Sequence, residues 1–322
     1  MSHVLLFDRA GRGRIRFTGA AAVPTLNGLV TNDVAALEPG RGQYAAMLTA
    51  KGKIVADVRI VRRADDVLVD AAPRAAAGMR DMIKKFVNPR FAAYEDVSDQ
   101  AATFTVTGLG ADVVAAAAAG VPVADVAALP PFGHLTGAEG VLVLRTPEIG
   151  LPAYDLVVPS ADRERVWGAA LAAGARVAGE AEWEGLRVAA GWPAWGIDMT
   201  DATLPQEANF DELQGVSYTK GCYIGQEPVA RIHFRGHVNR TLRRLAFADP
   251  APPAGAALWT AESEVGDVRS VARTAEGAAV GIGMVRREVA GDAALVARWT
   301  DAAGAEMTTG VSVVGKAKGA IE

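Results

Sequence analysis

The chain has a single cysteine, few aromatic residues and no long apolar run. One thiol rules out an intramolecular disulfide framework. It also rules out a closed metal or cluster site built from this chain's thiolates alone, because such sites take several. No stretch approaches the ~20 uninterrupted apolar residues of a membrane span; the alanine-rich tract from Val113 to Ala119 stops at Gly120. The short apolar run that opens the chain is followed at once by Asp8 and Arg9. It is too brief for a signal-peptide core and reads as a first strand. Excess positive charge is also missing: the net charge is −4, so nothing global points to a nucleic-acid or membrane surface. These absences predict a soluble, cytoplasmic protein.

Half the residues are apolar and 22% are charged, which is ordinary globular usage. At 322 residues the chain suggests two or three domains, at ~100–200 residues each. In residues 1–98, Arg14 to Phe17 reads as a strand and Ala21 to Leu29 as a short helix. Gln43 to Thr49 and Ile54 to Arg62 are extended segments joined by Ala50-Lys51-Gly52-Lys53, a hairpin-like spacing. Met79, Met82, Ile83 and Phe86 recur at threes and fours, predicting a helix over 74–86. In residues 99–240, Thr103 to Thr107 and Tyr154 to Val158 read as strands. Ser160 reads as the N-cap of a helix over 162–173, and Gly191 closes a helix over 182–190. Helical periodicity disappears from Thr241 onward. Residues 241–322 hold six short extended runs split by Gly, Pro and Asp, the pattern of a small β-barrel. The expected class is α+β with a C-terminal barrel.

The chemistry concentrates between Tyr218 and Arg244. This segment holds Cys222, His233 and His237, with Lys220, Arg231, Arg235, Arg240, Arg243 and Arg244 against one acid, Glu227. Cations near a thiol favour the nucleophilic thiolate; the plainer alternative is a small buried apolar cysteine. The basic run reads as an anion site or as an ordinary solvated surface. RNA contact is the weaker reading, with only Tyr218, Tyr223 and Phe234 interleaved. His233 and His237 are four apart and share a side in a helix or a strand, but no third ligand accompanies them.

Lys220-Gly221-Cys222-Tyr223-Ile224-Gly225-Gln226-Glu227, followed by Val229-Ala230-Arg231, resembles the signature of the YgfZ family. Mitochondrial relatives of that family serve iron–sulfur assembly. Leu26 to Val34 and Ala50 to Lys53 are similar to its N-terminal blocks, and Gly266-Asp267-Val268 and Val280 to Gly283 to the barrel shared with the glycine-cleavage T-protein. The resemblance implies a three-domain ring with a tetrahydrofolate site in its central channel. It implies iron–sulfur assembly proteins or client enzymes as partners, with any cluster shared. Cys222 and Lys220 would then carry the chemistry, and Tyr223 and Arg231 of the same block are folate-side candidates. Trp183 is similar to a tryptophan of the folate site, where an indole can stack on a pterin; its alternative is plain helix packing. Asp155 is matched to a pterin-contacting glutamate of the T-protein, and Arg187 to an arginine facing the folate's anionic tail. Their alternatives are a strand surface residue and an exposed helix residue.

Two departures qualify the resemblance. Where the T-protein has an Asp-Asp pair, this chain reads Gly52-Lys53-Ile54-Val55-Ala56-Asp57, so one acid remains. A second tryptophan of some YgfZ proteins falls here in Gly11-Arg12-Gly13. Three functions stay open: an accessory factor for iron–sulfur cluster assembly or repair acting through Cys222, a folate-dependent one-carbon transferase or demethylase using Asp57, and a non-catalytic folate-binding scaffold.

Overall fold

The computed structural model describes residues 3–318. The chain enters through β1 (Val4–Asp8) and crosses at residues 9–12 into a five-stranded antiparallel sheet. Its strands are β2 (Gly13–Thr18), β3 (Arg41–Leu48), β4 (Ile54–Arg62), β5 (Asp66–Ala71) and β6 (Ala93–Asp96), in the order β3-β4-β5-β2-β6. Helices α1 (Ala22–Leu29) and α2 (Pro73–Phe86) pack on one face. In α2, Met79, Met82 and Ile83 are buried as their spacing predicts, while Phe86, in the last turn, is 45% exposed. Pro73 begins α2 at a position whose N–H needs no helical partner.

The second sheet takes back the first strand. Its order is β11-β1-β7-β10-β9-β8, with β7 (Ala101–Thr107), β8 (His134–Thr136), β9 (Leu142–Arg145), β10 (Ala153–Pro159) and β11 (Ala175–Val177). The first two α+β units therefore interleave. Helices α3 (Ala111–Ala119), α4 (Val123–Ala127) and α5 (Arg163–Ala172) cover one face of this sheet. The expected Ser160 cap is corrected: α5 starts at Arg163, and the Ser160 hydroxyl donates instead to the Asp99 carbonyl at 2.9 Å. After α6 (Glu180–Ala190), α7 (Gln226–Arg235) leads into six strands that close as a barrel. They are β12 (Arg240–Phe247), β13 (Ala257–Trp259), β14 (Glu264–Arg273), β15 (Ala279–Arg286), β16 (Ala294–Thr300) and β17 (Glu306–Lys316).

Strand alternation explains how the two sheets meet. In β4, Ala56, Val58 and Ile60 join the core under α1 and α2. The intervening Asp57 and Arg59 are also buried, on the opposite face. In β7 and β10, Phe104, Val106, Tyr154 and Leu156 face their helices, leaving Thr103, Thr105 and Asp155 on the reverse side, equally buried. These polar faces lie against each other. Asp70 accepts from Arg12 (Nε, 2.9 Å) and Arg59 (Nη2, 2.7 Å), and Arg14 Nε stands 3.0 Å away. Arg59 then reaches across to Asp155 at 2.6 Å, and Arg14 to Thr103 and the Ala101 carbonyl. Burial favours the neutral form of Asp70, but the three guanidiniums override it and hold the carboxyl far below its usual range.

Removing one member of a buried ionic cluster leaves the others uncompensated. Asp70→Asn is expected to cost about 3–5 kcal/mol in urea unfolding at neutral pH. Because the native carboxyl has a depressed pKa, its contribution is complete above about pH 4 and is lost as pH falls below that. A loss under about 1 kcal/mol, or one that does not shrink in acid, would contradict this account of the sheet junction.

Candidate functional site

Above the sheet junction lies a cavity of about 410 Å³, walled by the end of β1 and the crossover after it, strands β3 to β5, the start of α2, α6 and the loop after α6. Asp57 and Tyr44 stand at one side. The Tyr44 hydroxyl donates to Asp57 Oδ2 at 2.8 Å, whereas Asp57 Oδ1 is buried with no partner among the described residues. Burial raises the Asp57 pKa to about 6, opposed by the tyrosine hydroxyl. Such a carboxyl changes its charge close to neutral pH and keeps one free acceptor. It is equipped to take N–H donors or a proton from a bound ligand.

Trp183 and Arg187 line the same cavity, one turn apart on α6. Trp183 is 2% exposed. The Phe7 ring meets it edge-on at 5.4 Å, and the Arg9 guanidinium lies 3.5 Å from its ring centre. A ligand that stacks on this indole must take the place of Arg9. Arg187 is buried, contrary to the exposed-helix alternative: it pairs with Asp198 at 2.7 Å and Glu184 at 2.7 Å and donates to Ser270 of the barrel. These acids hold its guanidinium firmly charged. Arg9 and Arg74 line the cavity without an ion pair among the described residues.

Asp155 does not line the cavity; Arg59 and Thr105 occupy its two oxygens beneath the floor. Tyr223 is buried with Phe210, Trp192 and Val229. Arg231 is exposed on α7. None of these three reaches the cavity wall. Sequence reading missed Tyr44, Arg9, Trp192 and Trp195, all of which line it. The readable signals were Gly191-Trp192-Pro193-Ala194-Trp195 just past a helix stop, and charged residues inside apolar strands.

Cys222 and Lys220 lie outside the cavity lining, on a strap that docks along residues 27–33. Lys220 Nζ donates to the carbonyls of Asn27 (2.6 Å), Val30 (2.8 Å) and Asn32 (2.7 Å). Its ammonium is thus a latch. Burial draws its pKa down to about 8, opposed by Asp33, so it is charged at neutral pH. Ile224 N–H donates to the Gly28 carbonyl, and Thr31 Oγ1 to that of Gly215. Gly225 has φ +81°, and a Cβ there would sit 2.4 Å from the Thr49 carbonyl oxygen and 3.2 Å from Gly52 Cα. Only glycine fits. With the strap pinned on both sides, Cys222 is held exposed. His233 and His237 do not share a helical face: α7 ends at Arg235, and His233 stacks on Tyr218 with ring centres 3.5 Å apart. Among the described residues no group of three or more His, Cys, Asp or Glu is placed to hold a metal.

Comparison with known proteins agrees with this fold. The model of the GCVT N-terminal domain matches residues 1–215. The chain is 31% identical over 247 residues to the tRNA-modifying protein YgfZ of Yersinia enterocolitica, covering 75% of this chain and 71% of that one. It belongs to the YgfZ family. The YgfZ protein of Edwardsiella ictaluri is 33% identical over 231 residues, which are 71% of this chain and 66% of the relative. In structure, the aminomethyltransferase T of the Bartonella henselae glycine cleavage system superposes with a TM-score of 0.84 and 21% identity, over 97% of this chain and 85% of that one. The α+β fold with its closed barrel is the T-protein fold. No helix among the described residues is long and apolar enough to cross a membrane.

Gly225→Ala is expected to cost about 2 kcal/mol, since it forces both an unfavourable φ and a backbone collision. Thermal unfolding checks this, and a variant as stable as the parent would show that the strap is not pinned there.

Proposed function

We propose that this YgfZ-family chain is a tetrahydrofolate-binding accessory factor for assembly or repair of iron–sulfur clusters, with Cys222 as its reactive group. The observation that carries this reading is the connection between cavity and thiol. Asp57 accepts from the Tyr44 side chain, the Tyr44 carbonyl accepts from Asn32 at 2.9 Å, and the Asn32 carbonyl accepts from Lys220, two residues before Cys222. A ligand that engages Asp57 presses on one end of that path; the strap bearing the thiol is the other end.

The cavity fits a folate. Asp57 Oδ1 is a free acceptor for the N–H edge of a pterin, a charge-assisted pairing when ionised. Trp183, Trp192 and Trp195 supply apolar area, and Arg9 and Arg74 are available to carboxylates. Tetrahydrofolate would supply one-carbon carrying capacity at its nitrogens. This chain's residues would orient it and hold a proton at Asp57. A resident cluster does not fit, because a single thiolate without companion ligands cannot enclose one. Cys222 would serve as one ligand completed by a partner, or as a nucleophile toward it.

The unpartnered oxygen of Asp57 also favours a second reading, a folate-dependent one-carbon transfer with Asp57 as proton acceptor or electrostatic stabiliser. Two variants separate the readings in cells that lack the parent protein. Cys222→Ala is expected to abolish support of iron–sulfur enzymes while leaving tetrahydrofolate binding intact. If Asp57→Asn alone removes that support and Cys222→Ala does not, the transfer reading replaces the first. Tetrahydrofolate affinity of the parent should rise as pH rises through about 6, because the folded-state carboxyl loses its proton there and becomes the better acceptor. Asp57→Asn should flatten this profile, and an unchanged profile would remove Asp57 from the site.

A further inference from the structure

A second cavity, of about 990 Å³, lies on the far side of α6, between that helix, the edge of the second sheet and the barrel. The helix is the wall between the two cavities. Trp183, Glu184 and Arg187 face the first, while Ala181, Gly185, Leu186 and Ala189 face the second. The interior is apolar: Leu5, Ile149 and Leu186 of its lining belong to the same packed cluster as Trp183. At Gly185 the helix touches the barrel, where a Cβ would come within 2.9 Å of the Arg273 carbonyl oxygen. Charges gather at the rim. Arg176 is paired with Glu182 at 2.6 Å and Arg273 with Asp249 at 3.0 Å. Arg244 and Lys318 also line the cavity, and neither has an ion pair or a side-chain hydrogen bond among the described residues. Both belong to the end of α6. A Cβ on Gly191, the helix stop, would stand 2.6 Å from Arg244 Cδ and 3.2 Å from the Cα of Ala317, the residue before Lys318. Cations suit a helix C-terminus, yet neither side chain donates to a carbonyl of α6. The Thr274 hydroxyl of the same lining is buried. The Glu276 carboxylate stands near it but makes no well-formed hydrogen bond to it, which leaves the hydroxyl without a partner among the described residues.

We propose that this cavity binds an amphipathic carboxylate, with its apolar chain along α6 and its head group at Arg244 and Lys318. An apolar wall with a few polar groups gathered at one end is the usual make-up of a small-molecule site, and the volume lies within the range of such sites. From Ala181 to Ala190 the helix offers about 14 Å of wall, at 1.5 Å per residue, which suits an extended alkyl chain better than a short acid. The head group follows from the charges. A phosphate head would bring up to about two negative charges toward Glu276, the acid of the lining that has no cation partner among the described residues. A carboxylate brings one, and its two oxygens match the guanidinium fork of Arg244. The inference goes beyond the folate and cluster reading and does not depend on it, because the two cavities occupy opposite faces of α6.

The test is calorimetric titration of the full chain and its variants with decanoate, below the concentration at which it forms micelles and at neutral pH. Saturable binding to one site is expected. Arg244→Gln should weaken it about 10-fold, the loss of one charge-assisted hydrogen-bonded pair. Decanol, which has no charge to pair, should bind the parent and Arg244→Gln alike. Ala189→Phe should abolish binding by filling the apolar wall, and Ala181→Phe, at an exposed position of the same lining, repeats that test if the first variant does not fold. Thermal unfolding checks the fold of each. Absence of saturable binding by the parent would overturn the inference. So would decanoate binding that survives both the Arg244 and the phenylalanine variants, or decyl phosphate that binds more tightly than decanoate. Displacement of decanoate by tetrahydrofolate would place the acid in the first cavity and overturn it as well. The two proposals stay apart: folate binding without decanoate binding removes only this one, and decanoate binding without folate binding removes only the folate assignment.

Discussion

Arg59 is the residue on which the interior depends. From β4 of one sheet it binds Asp70 beside it and Asp155 on β10 of the other, all three nearly excluded from water. Replacing such clusters with well-packed apolar residues is often neutral or stabilising, so stability alone does not account for this one. What an ionic junction supplies is a fixed relation between two sheets that loose apolar packing would let slide. The cavity sits directly on that junction, and Arg12, Arg59 and Asp70 form both its floor and the tie beneath it. An apolar junction would leave the cavity without its charged floor.

The family signature reads differently once its surroundings are visible. Lys220 carries no chemistry in the cavity; it satisfies three carbonyls that α1 and the turn after it leave without partners. Gly225 and Gly52 exist to let the strap and the β3–β4 hairpin touch backbone to backbone. The blocks 26–34, 50–53 and 220–227 are therefore one structural unit assembled from three distant stretches, and its product is an exposed thiol on a rigid mount. Lys220 and Gly225 are engaged in docking the strap, and Cys222 is the member left exposed.

Much of the fold was legible because its strands and helices carry strong local signals. Met79, Met82 and Ile83 mark the buried stripe of α2, and the Gly- and Pro-split runs after Thr241 become the six barrel strands. What stayed hidden was pairing between distant strands. Nothing local to Val4–Asp8 says that it joins β7 and β11 rather than β2. Nor does Asp155 announce that Arg59, 96 residues earlier, occupies it. Trp183 and Arg187 were found by resemblance, and both line the cavity. Tyr223 and Arg231 were carried along by adjacency to Cys222 and lie elsewhere, one in the core and one on the surface. Ser160 shows the limit of cap rules: a hydroxyl in the right place chose a carbonyl across the sheet edge.

Anaerobic titration with tetrahydrofolate, followed through intrinsic tryptophan fluorescence in the parent and in Trp183→Phe, tests the central assignment most directly. The account predicts saturable quenching in the parent and a smaller change in the variant, because Trp183, Trp192 and Trp195 line the cavity together. No saturable signal, with no heat of binding by calorimetry, would contradict the assignment of this cavity to a folate.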